Sequence, residues 1–306
     1  MPFVDACLHG VGQVIFLHSK TCGALILAAI CYGDLWLGAL AVIGTLSATV
    51  SASVCMGDTT TIQAGLFGYN GCLVGCAFSV FLGLPPWSPT ATLATIVGAS
   101  ATAPLAIALK PLCGSVPQWT LAFNFLTLTV LWATKPLADA AQDNSTAAAG
   151  TLSALEWGCA PLVGISQIFV VNNALAGALI LGAIAHYSPM CAIHTLAGSC
   201  VGVGAALACG APAGDIGMGL WGYNPALTSL AVAVFFVPGM PSYTLAAVGA
   251  LSTAALFGVI QALTLTLTLT LTLTLTLTLT LTLTLTLTLT PVSSSVPAIA
   301  AATQPR

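Results

Sequence analysis

Charge is what this sequence has least of. Four Lys or Arg and seven Asp or Glu make up 4% of 306 residues, where a soluble domain carries about a quarter. So few charges cannot cover even one globular core with a water-facing surface, which excludes an ordinary soluble fold. The four basic residues, Lys20, Lys110, Lys135 and Arg306, form no stripe, and the net charge is −3, so no nucleic-acid partner is expected. They are also too few to set orientation by a positive-inside rule. The N-terminus has no basic region ahead of an apolar core, and no cleavable signal peptide is expected. The eleven cysteines include no CxxC pair. The closest, Cys72 and Cys76, share a helix face with no His nearby, and they read as small packing residues rather than metal ligands. No Ser-His, paired-Asp or zinc-ligand arrangement gathers in one place. An enzyme, a metal and a cofactor are therefore not expected.

What is there is apolar. Hydrophobic residues make up 58% of the chain, and the mean hydropathy is +1.05. Backbone groups inside a bilayer must be satisfied internally, so the spans are helices or a closed barrel. Barrel strands alternate apolar with polar residues, whereas this chain has continuous Ala/Leu/Ile/Val/Gly stretches such as Leu35 to Val54, Thr90 to Leu109 and Met190 to Cys209. These approach or reach the roughly 20 residues a spanning helix needs. Recurrent Gly and Ala suit helices packed by close backbone approach. The expected fold is an all-α polytopic membrane protein with about ten spans, the lipid bilayer being its solvent.

The chain repeats itself. Gly23-Ala-Leu-Ile-Leu-Ala-Ala-Ile30 returns 154 positions later as Gly177-Ala-Leu-Ile-Leu-Gly-Ala-Ile184. The same offset relates Gln13 to Gln167, Gly44 to Gly198, and Gly65-Leu-Phe-Gly-Tyr-Asn70 to Gly219-Leu-Trp-Gly-Tyr-Asn224. Such regularity marks a duplicated unit. The expected organisation is a first transmembrane repeat over 1–133, a polar linker over 134–151 and a second, incomplete repeat over 152–262. A Leu-Thr segment follows over 263–290, then a disordered tail over 291–306. Each unit reads as one short segment (Asp5 to Leu17, Leu155 to Val171) and about five spans. An odd number of crossings would turn the second copy upside down, with the substrate path between the copies.

The short segments carry Gln13 and Gln167 and end in His18-Ser19-Lys20 and Asn172-Asn173 before a Gly. This suits a re-entrant or broken helix lining a cavity; each Gln could instead bond a neighbouring helix. Asp5 and Glu156, near the starts of these segments, read as structural carboxylates at helix N-termini. His186 and His194 flank the Ser188-Pro189 turn and read as interfacial. Asn144-Ser145-Thr146 in the linker is a glycosylation sequon.

The duplicated Gly-Leu-x-Gly-Tyr-Asn, with Gly-Val-Gly-Gln-Val and Gly-Ile-Ser-Gln-Ile ahead of it, resembles the urea transporter (urea channel) family. So do Leu152-Ser153-Ala154-Leu155-Glu156, Val171-Asn172-Asn173-Ala-Leu-Ala-Gly177 and Val116-Pro117-Gln118-Trp119-Thr120-Leu121-Ala122-Phe123-Asn124, over about residues 3 to 262. The resemblance implies channel-like facilitation of urea flux through the plasma membrane, usually by a homotrimer with one pore per protomer. It places Gln13, Val14, Phe16, Gln167 and Ile168 in a filter contributed by the short segments. Leu73 and Leu227 become walls of the slot, and Thr120 a hydroxyl that bonds urea. It puts the central loop outside the cell, where Asn144 could carry a glycan.

The sequence departs from the family pattern where His18-Ser19-Lys20 stands for Asn-Asn-Pro, and where Ala174 and Ala122 stand for Pro. Position 274, the partner of Thr120, falls inside fourteen Leu-Thr dipeptides running from Leu263 to Thr290. In a membrane such a run is expected to be helical and long enough to span. Three alternatives stay open: a channel for ammonia, water or amides, a non-conducting homologue, and, least favoured, an intramembrane enzyme.

Overall fold

The computed structural model describes residues 2–55, 58–142 and 152–264. The first copy comprises α1 (Pro2–Gln13), α2 (Lys20–Gly33), α3 (Leu35–Cys55), α4 (Thr59–Gln63), α5 (Gly68–Phe81), α6 (Pro89–Cys113) and α7 (Leu121–Gln142). The second comprises α8 (Ala154–Ser166), continued by a 3₁₀ turn over Gln167–Phe169. After it come α9 (Ala174–Tyr187), α10 (Pro189–Ala208), α11 (Ala213–Gly217), α12 (Tyr223–Phe235) and α13 (Met240–Thr264). No strand occurs among the described residues, and the chain is an all-α polytopic membrane protein.

The backbone keeps the spacing of the sequence. α2 and α9, and α4 and α11, have bounds that differ by the same 154 positions. Ser19 caps α2 by accepting from the Cys22 N–H, and Asn173 caps α9 by accepting from Ala176, each from an extended backbone. Each cap satisfies an amide that the first helical turn leaves without a partner. Left-handed backbone recurs at Phe16 (φ 63°) and Val170 (φ 61°), and at Gly65 and Gly219. Helix α7 continues to Gln142, through the first part of the stretch expected as linker. Asn144 and the residues from 265 onward, including Thr274 and the expected tail, lie outside the described residues.

Four helices, α3, α6, α10 and most of α13, are long and apolar enough to cross a bilayer, and the bent pair α8–α9 makes a fifth. The sequence reading expects about ten spans. The difference lies in α2, α5 and α12, which have only 13 or 14 residues, and in α7, whose apolar part is Leu121–Thr134. At 1.5 Å per residue they reach about 21 Å, short of the roughly 30 Å hydrocarbon layer. α5 and α12 are largely buried, whereas α2 and α9 pack on each other and leave Leu25, Leu175 and Leu179 exposed.

The central core draws on both copies. Ile26, Ala29 and Ile30 of α2 pack with Ile180, Ala183 and Ile184 of α9, all nearly or fully buried. Outward faces are apolar too: Val50, Val54, Leu93, Val97, Ile193 and Leu251 are exposed, as lipid requires. Small residues set the helix spacing. An ideal Cβ on Gly10 would lie 3.0 Å from the Gly68 Cα, and one on Gly164 would lie 2.9 Å from the Gly222 Cα, so α1 crosses α5 as α8 crosses α12. Pro104, inside α6, has no N–H for the Ser100 carbonyl one turn back. The Ser51 hydroxyl of α3 donates to that carbonyl instead, at 2.6 Å. A backbone group that lipid could not satisfy becomes an interhelical tie.

Candidate functional site

Both short segments end the same way. The Leu17 N–H bonds the Gly12 carbonyl at 3.0 Å and the Phe16 N–H bonds Gln13 at 3.1 Å. In the second copy Val171 bonds Ser166 at 3.2 Å and Val170 bonds Gln167 at 3.0 Å. These tight reversals force Phe16 and Val170 into left-handed backbone, unusual for a large side chain and more so for a β-branched one. Strain of this kind, roughly 1–3 kcal/mol, clusters at functional sites. It leaves each Gln on the last turn of a half-helix, at the edge of a cavity.

That cavity holds about 700 Å³. Gln13, Val14, Phe16, Leu73, Thr120, Gln167, Ile168 and Leu227 all line it. Tyr69 and Tyr223 join them, and pairs spaced by 154 share the lining, among them Gln13 and Gln167, Val14 and Ile168, Phe16 and Val170, Tyr69 and Tyr223, and Leu73 and Leu227. Leu73 and Ile168 are buried, and the two Gln and Thr120 are half-buried. Position 274, the partner of Thr120, lies outside the described residues.

The polar groups are few and positioned. Gln13 Nε2 donates to the Ala64 carbonyl at 3.2 Å and lies 3.4 Å from His18 Nδ1. Thr120 Oγ1 accepts from Asn124 Nδ2 at 3.1 Å. The Tyr69 hydroxyl donates to the Trp119 carbonyl at 2.5 Å, and Asn70 Oδ1 accepts from the Phe123 N–H at 3.2 Å. These two ties dock the start of α7 on α5 and so place Thr120. Phe16, Trp119 and Phe235 form an aromatic trio with ring centroids 4.9 to 5.6 Å apart. The charged lining residues are Asp58 and Lys110. Asp58 caps α4, and its bonds from the Thr61 hydroxyl and the Thr61 and Thr60 N–H groups hold its carboxyl below the usual carboxylate range. Elsewhere, Glu156 completes a capping box with Ser153, and Asp5 pairs with Lys20 at 3.0 Å. Among the described residues no group of three or more His, Cys, Asp or Glu could hold a metal ion.

Sequence reasoning quoted the duplicated Tyr-Asn but did not select Tyr69, Tyr223, Trp119, Phe123 or Asn224 as lining residues. The signal was the duplication itself: Tyr69 and Asn70 tie down the segment that carries Thr120. Removing the Tyr69 hydroxyl in Tyr69→Phe is expected to cost about 1 kcal/mol, the net worth of one hydrogen bond. A lowered unfolding midpoint in detergent checks this; an unchanged midpoint would mean the tie contributes nothing.

A family model described as urea transporter matches residues 4–290, into the Leu-Thr run. Urea transporter 1 of Rattus norvegicus is 33% identical over 248 residues, which make up 78% of this chain and 64% of the rat protein. Urea transporter 1 of Ovis aries is 32% identical over 270 residues, 84% of this chain and 70% of the sheep protein. The mouse protein of the same name is 31% identical over 276 residues, 86% and 71% of the two chains. The chain thus spans about two thirds of the length of these relatives.

Proposed function

The chain belongs to the urea transporter family, and from that premise we propose that it lets urea pass down its gradient through the cavity between the two copies. The family is one of transporters, not enzymes. The observation that carries the reading is that one cavity is lined by corresponding side chains of both copies, two glutamines and two leucines among them. Urea is flat, neutral and rich in N–H donors. Apolar walls from Val14, Leu73, Ile168 and Leu227 suit its faces, while Gln and Thr oxygens accept from its edge. Against those apolar walls an ion would lose hydration that they cannot replace. No bond is made or broken, so no general base is needed.

On the same reading the second copy lies inverted relative to the first, the protein assembles as a homotrimer in the plasma membrane, and Asn144 carries a glycan.

Stopped-flow urea efflux from liposomes tests the proposal. Rapid, saturable efflux is expected, and Gln13→Ala and Thr120→Ala should each slow it roughly fivefold to tenfold through loss of one acceptor. Efflux equal to that of empty liposomes, with the protein folded and inserted, would mean a non-conducting homologue. Faster ammonia or water than urea would assign another solute.

A further inference from the structure

The short segment of the first copy carries a group that its partner lacks. His18 stands at the reversal after α1, and the residue 154 positions on is Asn172. We propose that His18 is a positioning residue for Gln13: in its neutral form it fixes which way round Gln13 presents its amide to the cavity. This rests on the urea-pore reading and names the group that controls one end of that pore.

The hydrogen-bond chemistry determines the arrangement. The Ala64 carbonyl can only accept, so the Gln13 atom 3.2 Å from it is the NH₂ group. The second hydrogen of that group is directed at His18 Nδ1, 3.4 Å away, which must therefore be bare and accepting. An imidazole with a bare Nδ1 is neutral, with its proton on Nε2. Both Gln13 hydrogens are then engaged, and Oε1 is left as the acceptor facing the cavity that Gln13 lines. The neighbouring ring is in the other tautomer: His9 Nδ1 lies 2.9 Å from the Gln63 carbonyl and must donate to it. The two rings lie with centroids 4.2 Å apart, tilted by 32°.

A proton added at His18 Nδ1 turns the acceptor into a donor and sets two N–H groups against each other. Turning the Gln13 amide over would remove that clash, but it would set Oε1 against the Ala64 carbonyl and aim NH₂ into the cavity. Moving His18 away would release the amide. In either case urea's N–H edge loses a fixed acceptor at this end. On the elements packed around His18 the charged groups are Asp5 on α1, Lys20 on α2 and Asp58 at the start of α4, and the other titratable ones include His9 on α1, Tyr69 on α5 and the thiols of Cys7, Cys22, Cys72 and Cys76. Asp5 and Lys20 already pair with each other, Asp58 is engaged by Thr60 and Thr61, and Tyr69 by Trp119. His9 bonds Gln63 as a donor, which protonation leaves unchanged.

The test measures urea efflux from liposomes at about pH 7.5 and about pH 5.5, across the range in which histidine titrates. The parent should be roughly fivefold slower at the lower pH, the worth of one hydrogen bond. His18→Asn, which copies the second segment, should conduct at both pH values with no step, while His9→Asn should keep the step. A parent that conducts equally at both, or a step that survives His18→Asn, overturns the assignment. Absence of urea efflux at both pH values would sink the channel reading instead. In that case imidazole ¹⁵N NMR of the folded protein in nanodiscs decides separately: a bare Nδ1 on His18 at neutral pH, sensitive to Gln13→Ala, supports the assignment, and a protonated Nδ1 overturns it.

Discussion

Gly23→Leu is expected to leave little folded protein. An ideal Cβ at Gly23 would collide with the Leu8 carbonyl of α1, and one at Gly177 would collide with the Leu162 carbonyl of α8, the same crossing 154 positions on. The obstacle is backbone on both sides, so no side chain can turn away. Overpacking that rotamers can relieve costs about 1–3 kcal/mol, and this crossing, where α1 and α2 would have to separate, should cost more. The short segment would lose its support, and with it the reversal that sets Gln13. Gly182 is the control. It lies in the same helix as Gly177, is exposed, and a Cβ there meets nothing within 4 Å. Its counterpart in the first copy is already Ala28. Gly182→Ala should be neutral or stabilising by about 0.5–1 kcal/mol through helix preference. The yield of monodisperse protein in detergent and its unfolding midpoint check both; equal behaviour of the two variants would refute the argument from close approach.

Asn70→Leu should destabilise the protein by about 1–3 kcal/mol, and Asn224→Leu should not. Asn70 is 2% exposed and accepts the Phe123 N–H. Removing it leaves that amide buried without a partner, which costs about this much. Asn224, its counterpart in the second copy, is 4% exposed, and neither amide atom has a partner among the described residues. Replacement by an apolar side chain of similar size is then neutral or stabilising. Unfolding midpoints in detergent check both. An Asn224→Leu midpoint lowered as far as that of Asn70→Leu would refute the argument.

Much of this protein was legible before its structure. Scarce charge and long apolar runs left lipid as the only consistent solvent, and α3, α6 and α10 fall within a few residues of the stretches read from composition. The duplication pairs Gln13 with Gln167 and Leu73 with Leu227, and all four line one cavity, because a backbone that repeats at one spacing repeats its side-chain directions as well. Three things needed the tertiary structure. Helices of 13 or 14 residues are not told from spans by apolar content, since core and lipid are alike in polarity; only the folded chain shows where each one ends. The site also depends on Tyr69 and Asn70 reaching backbone atoms some fifty residues away, and a backbone acceptor leaves no mark in a sequence. The tautomers of His9 and His18, finally, follow from which carbonyl stands beside each polar group. Composition and periodicity determine the solvent and the repeat, because every residue contributes to them. Hydrogen-bond direction is set by single contacts between distant segments, and only the packed chain decides those.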